Sequence, residues 1–167
     1  MKKLILIFAA GVLSAQSLQP TIGLKWIGGF QYQMEVEAPG TQLGLKYTPK
    51  KANLIMSDIK LSFDYYADVI PEKPGTRNDF YQVKMQFSKP FAEYWSFQYY
   101  TGYSNAFDSD IMNRYSGPFK TNFSYGFGVQ TSDDMIDAEM MFEMMSGYPM
   151  LSIGASYKFK NLIKKKK

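Results

Sequence analysis

The chain contains neither cysteine nor histidine. The absence of cysteine excludes a disulfide framework, a thiolate site and a lipid-modified N-terminal cysteine. The absence of histidine removes the commonest general base and metal ligand. No apolar run reaches the roughly twenty residues that a membrane-spanning helix needs. What remains is a chain rich in rings, with 13 Tyr and 13 Phe, whose mean hydropathy is nevertheless −0.27.

The first residues have the pattern of a secretory signal peptide. Lys2 and Lys3 precede an apolar segment at 4–13, and small and polar residues follow at 14–17. This three-part pattern is typical of an exported chain, and the apolar segment is about half as long as a transmembrane helix requires. We expect residues 1–17 to be removed after Ser17, with a cut after Ala15 as the alternative, so that the mature chain starts at Leu18.

From residue 22 onward the dominant hydropathy period is two. Ile22, Leu24 and Trp26 share one parity, while Lys25 and Gln31 lie on the other. Because alternate side chains of a strand point to opposite faces, this period predicts amphipathic strands. Eight such stretches are predicted, the second being short: 22–36, 42–47, 58–69, 81–87, 95–103, 119–130, 136–144 and 151–159. Turns are predicted between them, including a Pro-Gly turn at 38–40 and a Lys-Pro turn at 89–90.

Strands joined by tight turns are antiparallel, and one sheet of this size should close on itself to remove its edges. The predicted fold is therefore all-β, an eight-stranded antiparallel up-and-down β-barrel, and the side chains of its two faces favour a transmembrane β-barrel. The barrel domain is expected to occupy residues 18–160, and a basic tail residues 161–167.

Alternation alone does not decide whether the apolar face points inward, as in a soluble lipocalin-like barrel, or outward against lipid. Volume favours lipid, because so many rings would overfill an eight-stranded interior. The polar face carries both charge signs, which can pair inside a lumen. An ion-pair network is expected from Lys60, Lys84, Lys120, Asp64, Glu139 and Glu143. Phe123 is expected to face lipid near mid-strand and Asn122 to face the lumen.

Aromatic residues are predicted to form two belts at the membrane surfaces. The periplasmic belt would hold Trp26, Phe87, Phe91, Tyr94, Trp95, Tyr157 and Phe159. The outer belt would hold Tyr65, Tyr81, Tyr99, Tyr103 and Phe119. The longest loops, 71–78 and 105–118, would then be extracellular.

Across residues 21–160 this pattern resembles the small eight-stranded bacterial outer-membrane barrels, the OmpA, OmpX and OmpW group. The last strand, LSIGASYKF at 151–159, is similar to the terminal signal that such proteins present to the barrel-assembly machinery. The resemblance implies residence in the outer membrane, contact with its lipid and transient contact with that machinery. The family usually ends on the final aromatic residue, whereas this chain continues with 160–167.

Catalysis is not expected, and neither is a cofactor. The enzymes found among outer-membrane barrels, such as lipid A deacylases, palmitoyltransferases and omptin proteases, use a histidine, which this chain lacks. A hydrolase that uses Asp64 and Glu139 is the remaining enzymatic hypothesis. Carboxylates in a barrel lumen more commonly form structural ion pairs. Asp108 and Asp110, with Asn113, lack the glycine and distal glutamate of a calcium loop, so no metal is expected. The strands carry no basic stripe, so nucleic acid is not an expected partner.

We therefore expect a non-enzymatic barrel with a structural or surface-binding role through its extracellular loops. The candidate residues for contacting an extracellular ligand or protein are Asp108, Asp110, Met112, Arg114 and Tyr115. The alternative is a barrel that binds or conducts a small hydrophobic ligand, either as an OmpW-like conduit or as a soluble periplasmic carrier. The lysines at 164–167 could contact anionic lipid headgroups or remain solvated.

Overall fold

The computed structural model of the chain describes residues 15–29, 37–49, 57–67, 79–104, 122–145 and 148–162. These ranges contain eight strands: β1 (Ala15–Gly29), β2 (Glu37–Pro49), β3 (Asp58–Tyr66), β4 (Phe80–Pro90), β5 (Trp95–Ser104), β6 (Phe123–Ser132), β7 (Ile136–Met145) and β8 (Tyr148–Lys158). Within the same ranges there is no helix of the length and apolar character that crossing a bilayer requires.

Each strand pairs antiparallel with the next one, and β8 pairs with β1, so the sheet closes into a barrel. The predicted fold class is confirmed. Following paired residues once around the barrel from Leu18 leads back to β1 at Gly28, ten residues further along. With eight strands, this stagger gives a strand tilt of about 40° and a barrel radius of about 8 Å.

The predicted turn at 38–40 is wrong, because these residues belong to β2, which is among the longest strands. Pro39 pairs with Trp26 of β1, while the described β2–β3 ladder begins one residue later at Gly40. Because Pro39 lies beyond the last residue pair of the β2–β3 ladder, its missing N–H removes no hydrogen bond between these two strands. The predicted turn at 89–90 is also wrong, since β4 continues through Pro90 and the chain turns at 91–94.

We call the end of the barrel that holds the turns 91–94 and 133–135 the lower end, and the opposite end the upper end. β1 begins at the lower end with Ala15, three residues before the expected mature start at Leu18. Residues 1–14, the loops 71–78 and 105–118 and the lysines 164–167 lie outside the described residues.

The aromatic belts are partly as predicted. The lower end carries Phe91, Tyr94, Trp95, Tyr157 and Phe159, and the upper end carries Tyr65, Tyr81 and Tyr103. Trp26 is misassigned to the lower belt, because β1 starts earlier than predicted and Trp26 lies three residues before its upper end. Phe87 and Tyr99 are partners nearer mid-barrel, with ring centroids 5.0 Å apart. Phe119 lies outside the described residues.

Two further expectations change with the observed bounds of β6. Phe123 does point outward, but it is the first residue of β6 and not a mid-strand residue. Asn122 precedes the strand, and its amide donates to the hydroxyl of outward-facing Tyr103 at 2.7 Å. Its expected position in the lumen is therefore wrong, and Phe127 takes the mid-strand place on the outer face.

The seam between β8 and β1 continues beyond the final aromatic residue of the predicted signal. The backbone N–H of Phe159 donates to the carbonyl of Pro20 at 2.9 Å, and that of Leu162 donates to the carbonyl of Leu18 at 2.8 Å. The Asn161 side chain accepts from the N–H of Leu18 at 2.9 Å. Residues 159–162 thus extend the closing ladder at the lower end.

Candidate functional site: the barrel lumen

The two faces of each strand have opposite polarity. In β4, Tyr81, Val83 and Met85 are exposed, whereas Gln82 and Lys84 between them are buried. Throughout the described strands the buried charged side chains are Lys25, Lys46, Lys60, Asp64, Lys84, Asp137, Glu139, Glu143 and Lys158. The outer face carries the large apolar side chains, so the barrel has its charge inside and its apolar surface outside.

The centre of the lumen is an ion-pair cluster built around Lys25. Its Nζ atom lies 2.8 Å from Glu139 Oε1, 3.5 Å from Asp64 Oδ2 and 3.5 Å from Glu143 Oε1. Lys84 provides the second cation, with its Nζ atom 2.6 Å from Asp64 Oδ2 and 3.7 Å from Glu143 Oε1. Two lysines and three carboxylates from four strands therefore meet inside the lumen, and all five side chains are buried.

Neutral donors add hydrogen bonds to each of these carboxylates. Gln42 donates to Asp64 at 3.0 Å, Gln86 donates to Glu139 at 2.9 Å and Tyr100 donates to Glu143 at 2.6 Å. Ser152 also donates to Glu143. Such additional bonds are what make a buried ionic cluster tolerable, because each unpaired buried oxygen would carry its own desolvation cost.

Lys60 lies below this cluster and is connected to it through an amide. Its ammonium donates to the Gln42 carbonyl and, at 3.2 Å, to the Ser156 hydroxyl. Gln42 in turn donates to Asp64. The amide therefore links the Lys60 ammonium to the Asp64 carboxylate without a direct ion pair between them.

A second cluster closes the lower end around Asp137. Lys46 and Lys158 place their Nζ atoms 3.1 Å and 2.9 Å from its carboxylate oxygens. Lys46 also lies 3.8 Å from Asp58, and Ser132 donates a further hydrogen bond to Asp137. Together these contacts link β2, β3, β6, β7 and β8 at the lower mouth of the lumen.

The upper end of the lumen is apolar. Its fully or almost fully buried side chains are Ile27, Ala38, Tyr66, Phe80, Met145 and Met150, which we call the upper cap. The Tyr66 and Phe80 rings lie 6.1 Å apart. Gly40 makes room for the Tyr66 ring, since a Cβ atom there would lie 2.3 Å from Tyr66 Cδ1. Met145 and Met150 pack in this cap, as flexible thioether side chains commonly do in irregular interiors.

The β6–β7 turn organises its acidic residues for structure. Asp133 Oδ1 accepts from the backbone N–H of Met135 at 2.7 Å and of Ile136 at 2.6 Å. These two bonds hold the pKa of the Asp133 carboxyl below its ordinary value of 3.8. No group of side chains with metal-ligand character occurs in the described ranges.

The structure brings four members of the expected ion-pair network together, namely Lys84, Asp64, Glu139 and Glu143. Lys60 contacts this cluster through Gln42, and Lys120 lies outside the described residues. The five expected loop-binding residues, Asp108, Asp110, Met112, Arg114 and Tyr115, lie outside them too.

The network expected from the sequence did not include Lys25. Because Lys25 alternates with Leu24 and Trp26, which lie on the apolar face of the first strand, it should nevertheless face inward. The hydrolase reading of Asp64 and Glu139 loses its basis, because both carboxylates contact Lys25 and act as its counter-ions. The inward Tyr66, Phe80 and Tyr100 were also missed. Their parity in the sequence could have placed them, but ring-bearing residues are expected on the apolar face.

No protein-family model matches the chain, and no curated protein matches it. Among solved structures, Neisserial surface protein A (NspA) has a TM-score of 0.52 at 9% identity, over 87% of this chain and 98% of that one. A structure from the de novo design of transmembrane β-barrels has a TM-score of 0.50 at 9% identity, over 87% and 97%. Ail of Yersinia pestis, in complex with the heparin analogue sucrose octasulfate, has 0.47 at 18% identity, over 86% and 97%.

The chain therefore has the fold of the small eight-stranded transmembrane β-barrels. The resemblance stated from the sequence is confirmed as a resemblance of fold, on NspA and the designed barrel.

Proposed function

We propose that the chain is a non-enzymatic integral protein of the bacterial outer membrane, with a structural or surface-binding role exerted through its extracellular loops. The observation that carries this proposal is the polarity of the barrel, with buried ion pairs inside and large apolar side chains outside. An apolar outer belt is stable in hydrocarbon and costly in water. The signal-like segment at 1–17 supports export to that membrane.

The filled lumen supports a role that does not depend on transport. Charged clusters occupy the centre and the lower end, and the apolar upper cap occupies the upper end. An eight-stranded interior is just wide enough for side chains to fill, so these packed side chains leave little room for a ligand. A carrier of hydrophobic ligands would need an apolar, open interior, so the soluble-carrier alternative is disfavoured and the conduit alternative has no described passage to use.

The loops are the part of the chain left for recognition. One barrel face is committed to lipid and the other to internal packing, and the described lower turns at 91–94 and 133–135 are short. Loops carried on a rigid scaffold are the common place for binding residues. We place partner contacts at Asp108, Asp110, Met112, Arg114 and Tyr115, in the longest predicted loop. NspA, a surface protein by its name, shows that the same fold serves at a cell surface.

The proposal is tested in two steps. The mature protein should be recovered with outer membranes, should require detergent for extraction and should migrate differently on gels before and after boiling. Recovery in a detergent-free soluble fraction would reject the membrane assignment. Replacing residues 106–117 by a short Gly-Ser turn should leave the heat-dependent shift intact, because loop length has little effect on stability, while removing the surface or binding phenotype. Full complementation by this loop variant would show that the function resides in the barrel and not in this loop.

A further inference from the structure

The seam between β8 and β1 changes its hydrogen-bonding pattern at the lower end of the barrel. Above this point the two strands pair in a regular register, down to Thr21 with Lys158. One residue further down, the N–H of Phe159 donates to the carbonyl of Pro20 at 2.9 Å. This contact continues the register, but a proline has no N–H to donate in return.

The Phe159 carbonyl therefore loses the donor that a regular ladder would give it. The side-chain amide of Gln19 lies beside it, with Nε2 3.5 Å from the carbonyl oxygen. Gln19 thus places a side-chain donor where the main chain of Pro20 has none. The lower end of the seam is completed by side chains as well as by the backbone.

The C-terminal side of the seam gains one extra residue just below this point. A regular continuation of the ladder would pair Leu18 with Asn161. Instead, the N–H of Leu162 donates to the carbonyl of Leu18 at 2.8 Å. This step of one residue is a β-bulge, which commonly turns a side chain in a new direction.

The bulge places the side chain of Asn161 on the backbone nitrogen of Leu18. The Oδ1 atom of Asn161 accepts from the N–H of Leu18 at 2.9 Å. It takes the position that the main-chain carbonyl of Asn161 would have in a regular ladder. In the part of the chain that the structure describes, Leu18 is the first β1 residue bonded to the C-terminal segment.

Leu18 is also the residue that the sequence predicts to be first in the mature chain. Cleavage after Ser17 would turn its backbone N–H into an α-ammonium group. A hydrogen bond from a charged donor is about twice as strong as one from a neutral donor. The oxygen that already contacts this nitrogen should therefore bind the ammonium more strongly than the amide.

Cleavage at this position would leave the seam intact. The residues removed from β1 pair with β2, Ala15 with Pro49 and Ser17 with Thr48. The bonds from Leu18 to Asn161 and Leu162 involve only atoms that remain in the mature chain.

We propose that Asn161 is the binding site for the amino terminus of the mature chain, with the Leu18 ammonium donating to its Oδ1 atom. The site rests on the proposed export and on cleavage after Ser17. It gives the residues that follow Phe159 a function, because they carry the bulge and the acceptor that hold the terminal residue of β1 in the closed seam.

The mass of the mature barrel extracted from outer membranes is the first test. The proposal requires a chain that begins at Leu18. A chain that begins at Gln16, after the alternative cut, would overturn the site and leave the membrane location intact. Absence of the protein from outer membranes would reject the proposed function, and this site with it.

The reactivity of the α-amine tests the contact itself. Folded barrels that begin at Leu18 are treated in detergent micelles with an acylating reagent, and mass spectrometry follows the N-terminal peptide. Only the unprotonated amine reacts. A carboxylate beside an ammonium favours its protonated form, so Asn161→Asp should slow the reaction at neutral pH by at least about threefold. Asn161→Ala removes an acceptor that favours the ammonium, and it should speed the reaction by about twofold.

Two controls isolate this contact. Asn122→Asp and Asn122→Ala alter an asparagine at the upper end of the barrel and should leave the α-amine rate unchanged. In a chain made to begin at Gln16, the amine lies two residues before Leu18, so Asn161→Asp should have little effect on its rate. Equal rates in wild type, Asn161→Asp and Asn161→Ala would overturn the proposal, as would an equal slowing in the chain that begins at Gln16.

Discussion

The Nζ atom of Lys25 on β1 lies 2.8 Å from Oε1 of Glu139 on β7, although β8 separates these strands in the barrel. The pair therefore joins two strands that no backbone ladder connects directly, across Gly154 of the strand between them. Lys25 is also the cation that Asp64 and Glu143 share. The barrel interior is held by this side-chain network as well as by its hydrogen-bonded wall.

Replacing Lys25 by Met should destabilise the barrel by about 3–5 kcal/mol, because three buried carboxylates would be left with Lys84 alone. Urea unfolding in lipid vesicles, followed by tryptophan fluorescence, measures the loss. The matched control is Lys160→Met, an exposed lysine whose change should cost less than about 0.5 kcal/mol.

Charge is the reason for that loss, so a second change should reverse part of it. Adding Glu139→Gln to Lys25→Met removes one unpaired carboxylate. The free energy of unfolding lost by the double variant should therefore be smaller than the sum of the losses in the two single variants. Strict additivity would show that the two residues do not interact.

A cation placed on the outer face should be costly in a depth-dependent way. Phe127 lies in the middle of β6 with 65% of its surface exposed, so Phe127→Arg should cost about 2–4 kcal/mol in lipid vesicles. Thr131 has the same parity near the lower end of the strand, so Thr131→Arg should cost about 1 kcal/mol or less. Equal costs at the two positions would contradict a lipid-facing belt.

The inward Tyr100 ring depends on a glycine in the next strand. A Cβ atom at Gly126 would lie 2.5 Å from Tyr100 Cε1 and 2.7 Å from the Phe142 carbonyl. Gly126→Ala should therefore destabilise the barrel by about 1–3 kcal/mol through overpacking. Gly154→Ala is the comparison and should cost less, since a Cβ atom there would lie 3.0 Å from Lys25 Cγ and 3.2 Å from the Leu24 carbonyl, which requires smaller shifts of the neighbouring atoms. A greater loss at Gly154 would show that Tyr100 can move aside.

The β6–β7 turn should give the barrel a small acid sensitivity. The pKa of Asp133 is lowered in the folded chain, so its contribution to stability is complete above the ordinary value of 3.8 and is lost as the pH falls through the lower folded value. Asp133→Ala should flatten the dependence of the urea midpoint on pH below about 4, while Asp134→Ala should not. Identical pH profiles for wild type and Asp133→Ala would show that the Asp133 carboxylate does not contribute to the acid sensitivity of the barrel.

The closed barrel could be predicted from the sequence because a period of two over eight stretches leaves few other folds. The strand ends could not, and Pro39 shows why. A proline followed by glycine indicates a turn locally, yet here Gly40 is needed in the strand to admit the Tyr66 ring. Trp26 was assigned to the wrong belt because the start of β1 was also predicted wrongly. The first residue of β1 determines how far along the barrel axis Trp26 lies.

The lumen was predictable as a mixture of charges, whereas its particular contacts were not. Lys25 meets Glu139 because both residues pair with Gly154 on the strand between them, and these two registers could not be read from the sequence. Sequence parity shows which side chains are inside, and only the strand registers show which of them share a level. The upper cap was missed for a different reason, since Ile27, Tyr66 and Phe80 are apolar residues at inward positions, whereas such residues are expected on the outer face.

The orientation of the strand faces is the central claim, and β5 tests it most directly. Because the chain has no native cysteine, single cysteines can be placed in turn at Phe97, Gln98, Tyr99, Tyr100 and Thr101 and spin-labelled in lipid vesicles. We expect accessibility to oxygen, which concentrates in hydrocarbon, to be high at 97, 99 and 101 and low at 98 and 100. High accessibility to a water-soluble nickel reagent at 97 and 99, or the opposite alternation, would contradict a barrel with lipid outside and charge within.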